Sequence, residues 1–220
     1  SWALRRSRWK KHLALALYEH RNLRDVSCMQ ALSMQEASDF RAFGVCSPIA
    51  IIPNGISDTW ISQSHDSNLF RLRYNISNET RTMLFLGRIT PKKGLPMLLH
   101  AMNSHRDLLE GWMVIIAGVD EFDHLKDLQR LVEELALKRF VRFVGPKFDQ
   151  EKRDAFAASD VFVLPSHSEG APIAILEALG AGVPVLTTKA SPWQDLLTND
   201  CGWWTDISTE AIADALQQVL

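Results

Sequence analysis

The chain is poor in cysteine. Cys28, Cys46 and Cys201 are few, odd in number and far apart within 220 residues. That argues against a disulfide framework and a zinc site, and it fits a reducing, cytoplasmic compartment. No apolar run approaches the length of a membrane span, and no signal peptide opens the chain. The sequence has no G-x-G-x-x-G string and no Walker loop, so neither phosphate-binding fingerprint is available. It carries no internal repeat and no low-complexity tract. A net charge of −2 gives no reason to expect a nucleic-acid partner. Asn75 and Asn78 open two glycosylation sequons, which are read as chance in a chain without a secretion signal.

What is present is an ordinary globular composition, 46% hydrophobic and 23% charged. The charge is uneven: residues 1–30 carry a local +5, which leaves −7 for the remainder. From Thr82 onward, short apolar runs alternate with amphipathic segments. The predicted strands are Met83–Leu86, Met113–Ala117, Val141–Val144, Val161–Leu164 and Val183–Leu186. Helical patterns lie between them near 94–103, 123–138, 150–158 and 171–181, and a last one runs from Thr209 to Leu220. This alternation predicts an α/β fold, a Rossmann-like parallel sheet with helices on both faces. Earlier in the chain, Ser33 and Glu36 form a capping box. A strand over Ile49–Ile52 ends at the turn signal Pro53-Asn54-Gly55. Residues 56–80 read as a polar linker with one short helix.

A parallel sheet binds ligands beyond the carboxyl ends of its strands, so candidate residues should follow strands directly. After Met83–Leu86 comes Gly87-Arg88-Ile89-Thr90-Pro91-Lys92-Lys93-Gly94. Gly87 is expected to permit close backbone approach, and Arg88 and Lys93 to converge on an anion. After Val141–Val144 come Gly145, Pro146 and Lys147. After Val161–Leu164 comes the loop Pro165 to Ile173, with Glu169 just before Gly170. A helix opening near Ala171, with Pro172 in its first turn, offers free N–H groups to a phosphate or sugar. Glu177 follows in its second turn, where two carboxylate oxygens match the two hydroxyls of a diol. His167 is read as a lining residue.

Two glutamates separated by seven residues, the first in an S-x-E-G loop, resemble the donor-binding signature of retaining nucleotide-sugar glycosyltransferases of family 4, which have the GT-B fold. The Gly87–Gly94 string is similar to that family's G-R-x-x-x-x-K-G. The resemblance implies that Arg88 and Lys93 hold the donor diphosphate and act, with Glu169, as the catalytic group. It implies that Glu169 lies against the donor sugar and Glu177 against the ribose. Gly87, Gly145, Pro146, Ser168, Gly170, Ala171, Pro172 and Ile173 complete the implied donor site, with the Gly145-Pro146 loop at the base. No D-x-D string is present, so no metal cofactor is expected; cations and a helix end take its place. The implied reaction moves a sugar from a nucleotide sugar to a glycan or lipid-linked acceptor with retention. Ser191-Pro192-Trp193 and Gly202-Trp203-Trp204 resemble a pattern in enzymes that build bacterial cell-surface polysaccharide, although Trp203 and Trp204 are read first as core packing.

Pro53-Asn54-Gly55-Ile56 resembles the junction between the two GT-B domains. Residues 1–55 then correspond to a remnant of the acceptor domain, 56–81 to a linker and 82–220 to the donor-binding domain, a fragment expected to be inactive alone. The basic N-terminal helix, with Trp2 and Trp9, has two readings. It lies on the inner face of a membrane near a lipid-linked acceptor, or it is a solvated helix that packs on another domain. A non-catalytic nucleotide-sugar-binding module and a nucleotide-sugar epimerase of the same fold stay open beside the transferase.

Overall fold

The computed structural model describes residues 20–62 and 66–220. Most of the basic, Trp-containing N-terminal segment lies outside the described residues; within them it ends as helix α1 (His20–Asp25). Strands β1 (Met29–Ala31) and β2 (Ile49–Ile51) then pair in parallel, joined by helix α2 (Met34–Phe43). The predicted cap forms: Ser33 Oγ accepts from Glu36 N–H at 3.1 Å, and the Glu36 carboxylate accepts from Leu32 N–H at 2.6 Å. Gly44 closes the helix in the left-handed region, at φ 99°.

The segment read as a linker holds two short helices, α3 (Thr59–Ser62) and α4 (Ser67–Arg73). They form because each supplies an aromatic anchor. Trp60 packs edge-on against Phe156 at 5.5 Å, and Phe70 is buried. A polar composition hid that anchoring in the sequence.

The main sheet has six parallel strands: β3 (Arg81–Leu86), β4 (Trp112–Ala117), β5 (Val141–Phe143), β6 (Val161–Leu164), β7 (Val185–Thr188) and β8 (Gly202–Thr205). Their order is β5-β4-β3-β6-β7-β8. Helices α5 (Leu95–Ser104), α6 (His124–Glu134), α7 (Asp149–Ala157), α8 (Ile173–Gly180), α9 (Asp195–Thr198) and α10 (Thr209–Val219) connect and cover them. β6 and β7 are buried along their whole length, as are the inner residues of β3 and β4, which is why these runs read as continuous apolar stretches. Phe85, Phe156 and Phe162 are the largest fully buried side chains of the core.

Three expectations are corrected. β7 begins two residues later than the apolar run Val183–Leu186, because Val183 and Pro184 are the irregular link between the turn at Ala181-Gly182 and the strand. Helix α8 begins at Ile173, with Pro172 as its extended N-cap residue at ψ 118° rather than in the first turn. β8 was not anticipated as a strand, and Trp203 and Trp204 lie on it half-buried, at the sheet's edge.

Candidate functional site

The strand order reverses between β3 and β6, which are neighbours although the chain leaves them in opposite directions across the sheet. Such a reversal opens a crevice at the carboxyl ends of the two strands. The loop after β3 (87–94) and the loop after β6 (165–172) meet there. Gly94 lies in the left-handed region, at φ 69°, and a Cβ built on it would stand 2.1 Å from the Pro165 carbonyl oxygen. Only glycine lets these two loops touch. Gly118, after β4, is equally constrained, since its Cβ would stand 1.8 Å from the Gly87 oxygen. Gly87 itself would meet ordinary contacts; the close approach expected of it depends on Gly118 instead.

At this crevice Lys93 Nζ donates to Glu169 Oε1 at 2.7 Å. The pair is secluded, with side-chain exposures of 15% and 9%. Ser166 Oγ donates to the same oxygen at 2.5 Å. The loop bearing Glu169 is pinned on both sides. His167 N–H donates to the Lys92 oxygen, Glu169 N–H to the Ala190 oxygen, and Thr188 Oγ1 to the Ser166 oxygen. Two charged groups and a buried hydroxyl are thus held in fixed positions, the preorganisation that binding a charged ligand needs. Glu169 Oε2 takes no hydrogen bond from the described residues, so it remains available to a ligand hydroxyl.

Glu177 sits one turn into α8, buried, and its carboxylate Oε1 accepts from Lys152 Nζ at 2.5 Å. Lys152 comes from the first turn of α7 and lies over the Trp60 ring at 5.2 Å. Arg88 does not share the Lys93 partner: its guanidinium pairs with Glu121 at 3.0 Å, and its side chain is 65% exposed. The structure therefore joins Lys93 to Glu169, and places Arg88 and Glu177 in separate ion pairs. Gly145 adopts φ 70°, which its loop needs, and Pro146 is exposed beside it.

Ser168, Glu169, Gly170 and Ala171 line a cavity of about 900 Å³ between the six-stranded sheet and the β1–α2–β2 unit. Asn54 crosses that gap, with its amide donating to the Ala171 oxygen at 2.9 Å. Trp193 and Trp204 also line the cavity, and the Trp204 indole donates to the Ser191 oxygen. Among the described residues, no group of three or more His, Cys, Asp and Glu side chains is placed to hold a metal. Sequence reasoning missed Lys152, Ser166, Trp60 and Asn54 as site residues. Ser166 and Asn54 stood inside motifs already singled out; Lys152 and Trp60 lie far from their partners along the chain and gave no signal.

The profile of the family described as "Glycosyl transferases group 1" matches residues 66–220. An uncharacterized glycosyltransferase, MJ1607, of Methanocaldococcus jannaschii is 28% identical over 178 residues, 78% of this chain and 45% of that protein. The GDP-mannose-dependent alpha-(1-6)-phosphatidylinositol monomannoside mannosyltransferase of Mycobacterium tuberculosis is 29% identical over 189 residues, 81% of this chain and 48% of that protein. The crystal structure of Anabaena Alr3699/HepE in complex with UDP and glucose superposes with a TM-score of 0.73 at 22% identity, over 88% of this chain and 53% of that one. The chain spans about half the length of these relatives.

Proposed function

The chain belongs to the group 1 glycosyl transferases, and on that premise we propose that it forms the donor side of a retaining transferase that uses a nucleotide-diphosphate sugar. The observation that carries this reading is the Lys93–Glu169 pair, secluded at the strand-order reversal, whose Glu169 lines a cavity of about 900 Å³. In the proposed mechanism, Lys93 turns from Glu169 to the diphosphate as the donor enters. Arg88, on an exposed and weakly held ion pair, swings from Glu121 to the same group. Cleavage of the bond between the anomeric carbon and the phosphate adds negative charge to the leaving nucleoside diphosphate. Lys93, Arg88 and the N-terminal end of α8 stabilise that charge. Glu169, released from Lys93, accepts from hydroxyls of the donor sugar and positions its ring. The acceptor attacks from the face the phosphate leaves, and a phosphate oxygen takes its proton. No metal is assigned to the donor site. UDP and glucose in the Anabaena relative, and GDP-mannose in the name of the mycobacterial one, support a nucleotide sugar without choosing its base or sugar. The acceptor we propose for the whole protein is a glycan or a lipid-linked sugar, as in cell-surface polysaccharide synthesis.

Isothermal titration of the folded chain with a panel of nucleotide sugars tests the donor reading. Saturable binding of at least one of them, weakened about tenfold or more by Glu177→Ala, is the expected result. Binding of none would defeat the proposal.

A further inference from the structure

Glu177 was expected to take both hydroxyls of a ribose on its own two oxygens. The structure allows only one of them that role. Oε1 is occupied by Lys152 Nζ at 2.5 Å, and the pair is largely withdrawn from water, with side-chain exposures of 25% and 10%. Neutral hydroxyls do not displace an ammonium from a buried carboxylate, because separating such a pair leaves two uncompensated charges. The pair should therefore survive ligand entry. Oε2 takes no hydrogen bond from the described residues. The ammonium has three N–H groups, of which Oε1 uses one. The Trp60 ring, 5.2 Å away, also holds the cation. Lys152 also lies in the first turn of α7, where the helix dipole disfavours a positive charge. Such a lysine is better accounted for by what it holds than by the helix that carries it.

We propose that Lys152 is a ligand-contacting residue of the donor site: the Glu177–Lys152 pair reads the nucleotide's ribose as a mixed acceptor and donor, Oε2 accepting from one hydroxyl and Nζ–H donating to the oxygen of the other. This rests on the nucleotide-sugar reading of the same site. It changes what the site recognises. Two carboxylate oxygens would require two hydroxyl donors; a carboxylate beside an ammonium reads one donor and one acceptor, and each position then depends on a different side chain.

The test is isothermal titration of the whole chain with UDP and GDP and with their 2′-deoxy and 3′-deoxy forms. The wild type should lose about tenfold in affinity for each hydroxyl removed. Lys152→Met should erase the penalty at one ribose position and leave the penalty at the other. Lys152→Arg, which restores a cationic donor, should bring the erased penalty back. Lys152→Gln keeps a neutral hydrogen bond to Glu177 and guards against a methionine variant that fails to fold; it should reduce the same penalty at least threefold. If the folded Lys152 variants keep both penalties at wild-type size, Glu177 alone reads the diol and the inference is overturned while donor binding stands. If the wild type binds neither UDP nor GDP, the nucleotide reading falls first and takes this inference with it.

Discussion

Two lysine–glutamate pairs stand at the carboxyl edge of the sheet, and they are held in different ways. Lys93–Glu169 is mounted on loops: a short 3₁₀ turn (Pro91–Lys93) carries the lysine, and a strapped loop carries the glutamate. Lys152–Glu177 is mounted on two helices, with an aromatic ring beside the cation. Glu169 has a second donor in Ser166, whereas Lys152 is the one donor to the Glu177 side chain among the described residues. The difference shows a division of labour. A loop-held pair with a spare hydrogen bond can open without leaving its carboxylate bare, which suits the proposed movement of its cation to a diphosphate. A helix-held pair with no spare is built to stay closed.

Breaking the loop mounting should have the largest effect. Gly94→Ala forces a side chain into a left-handed position and against the Pro165 carbonyl. The backbone strain and the overlap together are expected to cost about 4 kcal/mol. Urea unfolding should show a midpoint shifted accordingly, or no folded protein at all. Full wild-type stability would mean that the two loops are not in contact.

Removing the cations compares the pairs directly. Lys152→Met leaves Glu177 with no donor and is expected to cost about 3 kcal/mol, discounted for the lysine's partial exposure. Lys93→Met leaves Ser166 on Glu169 and should cost about 2 kcal/mol. The same unfolding experiment checks the order. A reversed order would mean that the Glu169 pair, not the Glu177 pair, is the structural one.

The smallest effect on stability belongs to Arg88. Its ion pair with Glu121 is exposed, so Arg88→Ala should change stability by less than about 0.5 kcal/mol. On the proposed reading it nevertheless weakens nucleoside diphosphate binding about tenfold, measured by titration. A large loss of stability, or unchanged affinity, would place Arg88 outside the site.

Much of this was legible in the sequence, for identifiable reasons. Val161–Leu164 and Met83–Leu86 read as strands because buried parallel strands are apolar on both faces, and the loops after them were found by position alone. Lys93 and Glu169 could be placed at one rim because each follows a strand, but their direct ion pair was not anticipated: Lys93 was grouped with Arg88. Lys152 was not legible: it stands 25 residues from Glu177, and helix periodicity says nothing about which carboxylate a surface-looking lysine will meet. β8 was missed because it is only four residues long and opens on a glycine, although Gly202 is required there: a Cβ would stand 2.0 Å from the Val185 oxygen of the neighbouring strand. Arg88 and Lys93 look equivalent as letters, yet Glu121, on the loop after β4, draws one of them aside.

The division between a pair that opens and a pair that stays is tested most directly by a crystal structure of the chain with a bound nucleoside diphosphate. The account predicts Lys93 Nζ on a phosphate oxygen, Glu169 left to Ser166, and Lys152 still on Glu177. A diphosphate bound elsewhere, with Lys93 and Glu169 still joined, would contradict it.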